Sequence, residues 1–305
     1  MIPKRVVFFN YFHNGDVHVS RGLVRQIMNK ILQLEPNTQF GYGHKNNPAL
    51  LSDIPNLIFD PHALPTVKNE HSNLHKVAET VYVNTWYGQQ NFKYMNRHAI
   101  SFDTLYAALD DSCKDIWGFS LNDISTDPSI FFPQIDYDKF QIGEAKIWLS
   151  NHPEKKIFVS NGQALSDQSH NFPITPLIEN LAKKHTDKTF ILSNTEGRSI
   201  QLGNVYYSSN IIRKADCDLN ENAFLSEQCD TIMGRASGAF AFAETYNNMF
   251  KRNCRMLCFT NITPKKEGQF WLGDLMQDKL QYSATITATN ENDTSKVMDL
   301  MERNL

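Results

Sequence analysis

Two short stretches of the chain put reactive or ligand-binding groups at the turn from a strand into a helix. The first is Asn14-Gly15-Asp16-Val17-His18, which follows the apolar run Val6 to Phe9. A carboxylate there can cap the helix by accepting hydrogen bonds from its free N–H groups. It also stands at the carboxyl end of a strand, where open α/β sheets bind ligands, and can take a proton from an attacking hydroxyl. Asn14 and Gly15 lead into it, and His18 and Arg21 lie within the next turn, so a charged substrate could be held beside the base. The second stretch is Gly234-Arg235-Ala236-Ser237-Gly238-Ala239-Phe240, after the apolar residues Thr231 to Met233. Small residues let a ligand approach the backbone, a helix N-terminus presents N–H groups and a positive dipole, and Arg235 offers a planar fork of donors to phosphate oxygens. The same residues also read as a Ser237 cap, a packing glycine and a surface ion pair for Arg235.

Other residues could support such a site. Ser160, Asn161, Gly162 and Gln163 follow the apolar run Ile157 to Val159, where a loop amide and hydroxyl can reach a diphosphate or a sugar. Asn194 opens the stretch Asn194 to Arg198 after another strand, and can touch a base or ribose; both loops also read as plain turns. Trp86 and Tyr87 follow Val81 to Val83 and can stack on a sugar ring or pack at the rim of the core. His13, His44, His62 and His98 have no metal-ligand spacing. The five cysteines form no CxxC pair, and Cys254 and Cys258 flank an apolar strand that suits joint ligation poorly, so no metal site is expected.

The elements that must position these residues alternate. Val6 to Phe9, Gln39 to Tyr42, Leu57 to Phe59 and Val81 to Val83 read as buried strands, and Leu23, Val24, Ile27, Met28 and Ile31 form one helical stripe closed by Pro36. A helix from Tyr137 to Asn151 then opens a second series, with strands at Ile157 to Val159, Thr189 to Leu192, Val205 to Tyr207, Thr231 to Met233 and Met256 to Phe259. Its helices are expected at Pro173 to His185, Ala236 to Tyr246 and Thr294 to Met301. Strands alternating with helices call for mainly parallel sheets and an α/β class. At 305 residues the chain is long for one core. Two Rossmann-like domains facing across a cleft are expected, 1–137 on the acceptor side and 138–305 on the donor side.

A net charge of −3, with acids and bases dispersed, argues against nucleic acid as a partner. The start of the chain shows no cleavage-site pattern, and no apolar run reaches the roughly 20 residues of a membrane span. A cytoplasmic protein with at most peripheral membrane contact is expected.

Taken together, the motif at Asn14 to His18 and the segment Cys229 to Gly238 resemble the N-terminal Gly-Asp signature and the C-terminal strand, Ser-Gly turn and helix of the heptosyltransferase-like glycosyltransferases of the GT-B fold. The resemblance implies Asp16 as the base that deprotonates the acceptor hydroxyl, and Arg235, Ser237, Gly238, Ala239 and Phe240 as the site for the donor diphosphate. The chain departs from the pattern at Ala241, where the family usually has a His, and at Ser160 to Gln163, where it usually carries a Lys. The expected activity is inverting, metal-independent transfer of a sugar from a nucleotide-sugar, as substrate and not cofactor, to a glycan or glycolipid hydroxyl. The alternatives are a nucleotide-sugar epimerase or hydrolase on the same scaffold, and a non-catalytic nucleotide- or sugar-binding protein.

Overall fold

The computed structural model describes residues 3–11, 13–45, 48–65, 74–86, 102–120, 127–165, 168–213, 218–261 and 281–305. These fall into two compact units that part between Gln134 and Ile135.

The first unit contains β1 (Arg5–Phe9), α1 (Asn14–Val19), α2 (Arg21–Leu34), β2 (Gln39–Gly43), β3 (Leu57–Phe59), β4 (Leu74–Val77), β5 (Thr80–Asn84), α3 (Phe102–Trp117) and α4 (Pro128–Phe131). Its sheet runs β3-β2-β1-β5-β4. β1 lies at the centre, parallel to both β2 and β5. Val6, Val7, Phe8 and Phe9 are all buried, as an unbroken apolar run requires of a strand covered on both faces. The stripe of α2 is buried along its length, at Leu23, Val24, Ile27, Met28 and Ile31. Gly22 opens that stripe where α4 crosses it: a Cβ there would lie 1.8 Å from the Phe131 carbonyl oxygen, so only glycine allows this backbone contact. β4 was not expected, because Leu74-His75-Lys76-Val77 carries no apolar run. It is an edge strand, antiparallel to β5 across the turn at Ala78 and Glu79.

The second unit contains α5 (Gly143–Ser150), β6 (Lys156–Ser160), α6 (Thr175–Lys184), β7 (Thr189–Leu192), β8 (Val205–Tyr207), α7 (Ser208–Ile212), α8 (Leu219–Ser226), β9 (Thr231–Arg235), α9 (Gly238–Ala241), β10 (Arg255–Phe259), β11 (Thr285–Thr289) and α10 (Thr294–Arg303). All its strand pairs are parallel, in the order β11-β10-β9-β6-β7-β8. Ile178 and Leu181 of α6 and Val297 and Met301 of α10 share one core with Phe190, Leu192, Met233 and Leu257 of the sheet.

Two expected helices are corrected. The helix expected over 137–151 is a single tight turn at Tyr137–Lys139 followed by α5. The helix expected over 236–246 stops after α9, because Ala243 and Glu244 donate to Phe240 and Ala241, three residues back. That bonding tightens the chain and ends the α-helical ladder. Among the described residues no helix is long and apolar enough to cross a membrane.

Gly234 decides how closely β9 approaches β6. It pairs with Ser160, and a Cβ would sit 2.3 Å from the Ser160 carbonyl oxygen and 2.8 Å from its Cβ. Gly234→Ala is expected to lower unfolding stability by about 1–3 kcal/mol. Gly203→Ala, which would meet nothing within 4 Å, should stay within about 0.5 kcal/mol. Urea denaturation of both variants measures the difference.

Candidate functional site

In the first unit the chain leaves β1 at Phe9 and enters α1 at Asn14. The cap position is His13, in extended backbone and without a side-chain cap bond, so Asp16 stands third in the helix and is not its cap. Asp16 is half-buried, and burial pushes its carboxyl up to about 6 against the downward pull of His13 and of backbone N–H groups. A carboxyl in that range is ionised at neutral pH, yet basic enough to share a proton with a hydroxyl in a transition state. Beneath it, the Tyr42 hydroxyl and Thr85 Oγ1 lie 2.8 Å apart. Thr85 donates twice to the Phe9 carbonyl, through N at 3.0 Å and Oγ1 at 3.2 Å, which ties together the ends of β1, β2 and β5. Burial raises the Tyr42 hydroxyl, and the Asp16 charge raises it further. Trp86 follows on the same sheet edge, its N–H bonded to the Asn84 side chain at 2.9 Å.

His18 and Arg21 face inward. Both are fully buried. The Arg21 guanidinium donates through Nε to His18 Nδ1 at 3.1 Å, and its other nitrogens bond Asp53 and the Leu50 carbonyl. Arg25 reaches the second Asp53 oxygen at 2.8 Å and the Gln134 carbonyl at 2.7 Å. Burial first, then the charges of Arg21 and Arg25, hold His18 well below the usual histidine range, so its ring is neutral and accepts from Arg21.

In the second unit the loops after β6, β7 and β9 lie side by side, because these strands are neighbours in the order β9-β6-β7. Ser237 caps α9, its hydroxyl accepting from the Phe240 N–H at 3.3 Å. Gly238 and Ala239 are partly exposed and occupy the first two helical positions, whose N–H groups have no acceptor within the helix. Phe240 is buried. Arg235, the last residue of β9, is only 1% exposed. Its guanidinium pairs with Glu196 at 2.6 Å, and donates to the carbonyls of Asn161, Gly162 and Phe172. Ser160 and Asn161 are buried, Gly162 is partly covered and Gln163 is exposed. Asn161 spends its amide on Asn194: it accepts from the Asn194 N–H at 2.8 Å and donates to the Asn194 carbonyl at 2.6 Å. Asn194 is exposed, its side chain accepting from the Glu196 N–H at 2.9 Å.

No family model and no curated protein matches this sequence. Solved structures do. A glycosyl transferase family 9 protein from Veillonella parvula matches over 100% of this chain and 92% of its own, at 13% identity and a TM-score of 0.52. The E. coli ADP-heptose LPS heptosyltransferase II matches over 98% of each chain, at 11% identity and a TM-score of 0.51. The fold is that of the heptosyltransferase-like glycosyltransferases. This agrees with the resemblance drawn from the two motifs.

On this glycosyltransferase fold the site residues read from the sequence separate into groups. Asn14, Gly15, Asp16 and Trp86 share the carboxyl edge of β1 and β5; Tyr87 lies outside the described residues. His18 and Arg21, expected to hold an acceptor, are instead buried beneath α1, because the only carboxylate that neutralises Arg21 among the described residues is the buried Asp53. Arg235, expected as a donor to phosphate or as a surface ion pair, is a buried clamp occupied by Glu196 and three carbonyls. Asn161, expected at the ligand, is satisfied by the neighbouring loop. Sequence reasoning missed Tyr42, Thr85 and Asp53, which carry no motif: Tyr42 and Thr85 are brought to the site by the pairing of β2 and β5 with β1, and Asp53 by the turn that precedes β3. Among the described residues no three His, Cys, Asp or Glu side chains could hold a metal ion.

Asp53→Asn would leave the Arg21 charge buried without its partner, and is expected to cost about 3–5 kcal/mol. Asp60→Asn, which loses only an exposed contact with Arg5 at 3.4 Å, should cost less than about 1 kcal/mol. Chemical denaturation at pH 7 compares the two.

Proposed function

We propose that this chain is an inverting, metal-independent glycosyltransferase, which moves a sugar from a nucleotide-sugar to a hydroxyl of a glycan or glycolipid, in the cytoplasm and at most peripheral to a membrane. The reading includes the two-lobed cleft arrangement expected from the sequence. Asp16 takes the proton of the acceptor hydroxyl as its oxygen attacks the anomeric carbon. The bond from that carbon to the phosphate oxygen breaks on the opposite face, and the nucleoside diphosphate leaves with the electron pair. The N–H groups of Gly238 and Ala239, with the Ser237 turn, receive the developing negative charge. What supports this reading is a carboxyl raised to about 6 at the carboxyl end of β1, in a chain with this fold. One structural neighbour is described as an ADP-heptose enzyme, so ADP and ADP-sugars are the first ligands to test.

A second reading, a nucleotide-binding protein without catalysis, is favoured by one observation: with Arg235 turned inward and Ala241 at the position of the family His, the turn from Gly234 to Ala241 presents no cation to a departing diphosphate.

Asp16→Asn separates the readings. Turnover should vanish while nucleotide affinity, read by thermal shift, stays near the parental value; a variant that transfers sugar at the parental rate removes Asp16 as the base. In the parent, kcat/KM should fall as pH drops through about 6, because the protonated carboxyl accepts no proton. The stability effect has the opposite sign. The folded-state value lies above the ordinary 3.8, so ionised Asp16 weakens the fold progressively as pH rises from about 4 to 6. Asp16→Asn should therefore be more stable than the parent at pH 7, by on the order of 1–3 kcal/mol, and should lose that advantage below about pH 4. Ligand-dependent stabilisation of the parent with no product from any acceptor would favour the second reading.

A further inference from the structure

The Arg235 guanidinium closes a loop at both of its ends. The segment joining β6 to α6 leaves at Asn161 and Gly162 and returns at Phe172, and Arg235 donates to the carbonyls of all three. It also lies over the Phe172 ring, 5.4 Å from the centroid. Higher in the same loop, Asn171 fastens Ala164 with two bonds of 2.9 Å, so the segment is cross-linked at its root and at its middle. The carboxylate that neutralises Arg235 comes from a third place. Glu196, in the loop after β7, sits in left-handed backbone at φ 45°, which a residue with a Cβ adopts only under constraint. Its second oxygen accepts from Thr175 at the start of α6. One ion pair, its guanidinium buried and its carboxylate partly covered, thus joins the loops after β6 and β7, the first turn of α6 and the end of β9, two residues before the Ser237 turn.

We propose that Arg235 and Glu196 are a positioning pair: the neutralised guanidinium sets these loops against the Ser237 turn, and Arg235 itself makes no contact with the donor phosphate. The word donor rests on the function proposed above. The geometry of the pair does not. To reach a phosphate, Arg235 would have to abandon three carbonyls and strand the Glu196 carboxylate in a partly covered site without its partner. Held inward, it fastens the β6–α6 loop and the loop after β7 to the end of β9.

Glu196→Gln and Arg235→Lys keep the size of each side chain while weakening the pair. Both go into the full chain, for hydrogen–deuterium exchange without ligand and for titration with ADP, GDP and UDP. Exchange should rise in 161–165 and 194–198 and stay at the parental level in β1 and α2. The dissociation constant of whichever nucleoside diphosphate the parent binds should rise about tenfold, the change that corresponds to losing the net contribution of one hydrogen bond. If Glu196→Gln tightens that binding, the substitution has freed Arg235 for the phosphate and the proposal is overturned. It is equally overturned if the melting temperature falls while loop exchange and affinity stay parental, since the pair would then be structural only. If the parent binds none of the three nucleotides, the functional reading is what has failed, and loop exchange alone decides the role of the pair.

Discussion

A strand paired in parallel on both sides must have both of its faces covered, and in this chain that requirement determines where chemistry can occur. β1 is registered between β2 and β5, with Phe8 beside Tyr42 and Val83 and Phe9 beside Gly43 and Asn84. Its side chains are therefore buried, and the residues that can meet a ligand lie beyond Phe9. β6 is held in the same way between β7 and β9. Parallel strands all end on one edge, so the loops that follow neighbouring strands are brought together however far apart they are in sequence. The Thr85 bonds to the Phe9 carbonyl and the Asn161 bonds to Asn194 fasten that edge in the two units, and they hold still the residues that stand on it.

Each unit also buries an arginine under its candidate loop. Arg21 has Asp53, a histidine ring and a carbonyl; Arg235 has Glu196 and three carbonyls. A guanidinium removed from water loses a large hydration energy, and only a carboxylate together with hydrogen-bond acceptors offsets it. Such a group adds little net stability compared with a hydrocarbon of the same size. It does impose geometry, because its planar donors must meet acceptors from several segments at once. In the second unit those acceptors come from loops, and in the first they come from His18 of α1 and the turns that carry Leu50 and Asp53, so in each unit the guanidinium fastens segments distant in sequence.

This explains how much of the molecule was legible in the sequence. Runs such as Val6 to Phe9 and Thr189 to Leu192 announce buried strands, and the stripe of α2 announces its helix, because those patterns are produced by burial itself. The motifs at Asp16 and Ser237 were found because each lies just past such a run. β4 and α8 were missed for the converse reason: Leu74-His75-Lys76-Val77 is an edge strand whose second half is exposed, and Leu219-Asn220-Glu221-Asn222 is a polar sequence that is nonetheless buried. The arginines misled because a letter shows charge and not burial. Arg21 finds Asp53 at a separation of 32 residues and Arg235 finds the Asn161 carbonyl at 74, so no local pattern could reveal that both guanidiniums were occupied.

The occupation of Arg21 bears directly on the basicity of Asp16. A carboxyl rises when burial outweighs the cations and N–H groups around it, and a free guanidinium close by would reverse the outcome. The groups that pull Asp16 down are His13 and backbone N–H groups, and they do not overcome burial. Arg21, five residues further along, is matched by Asp53, and burial first, then the charges of Arg21 and Arg25, keep the His18 ring neutral. The second cation, Arg25, is held by the same carboxylate. Asp53 therefore does more than stabilise a buried arginine. It engages two positive charges, neither of which is among the groups that lower Asp16, and at Asp16 burial outweighs His13 and the backbone N–H groups.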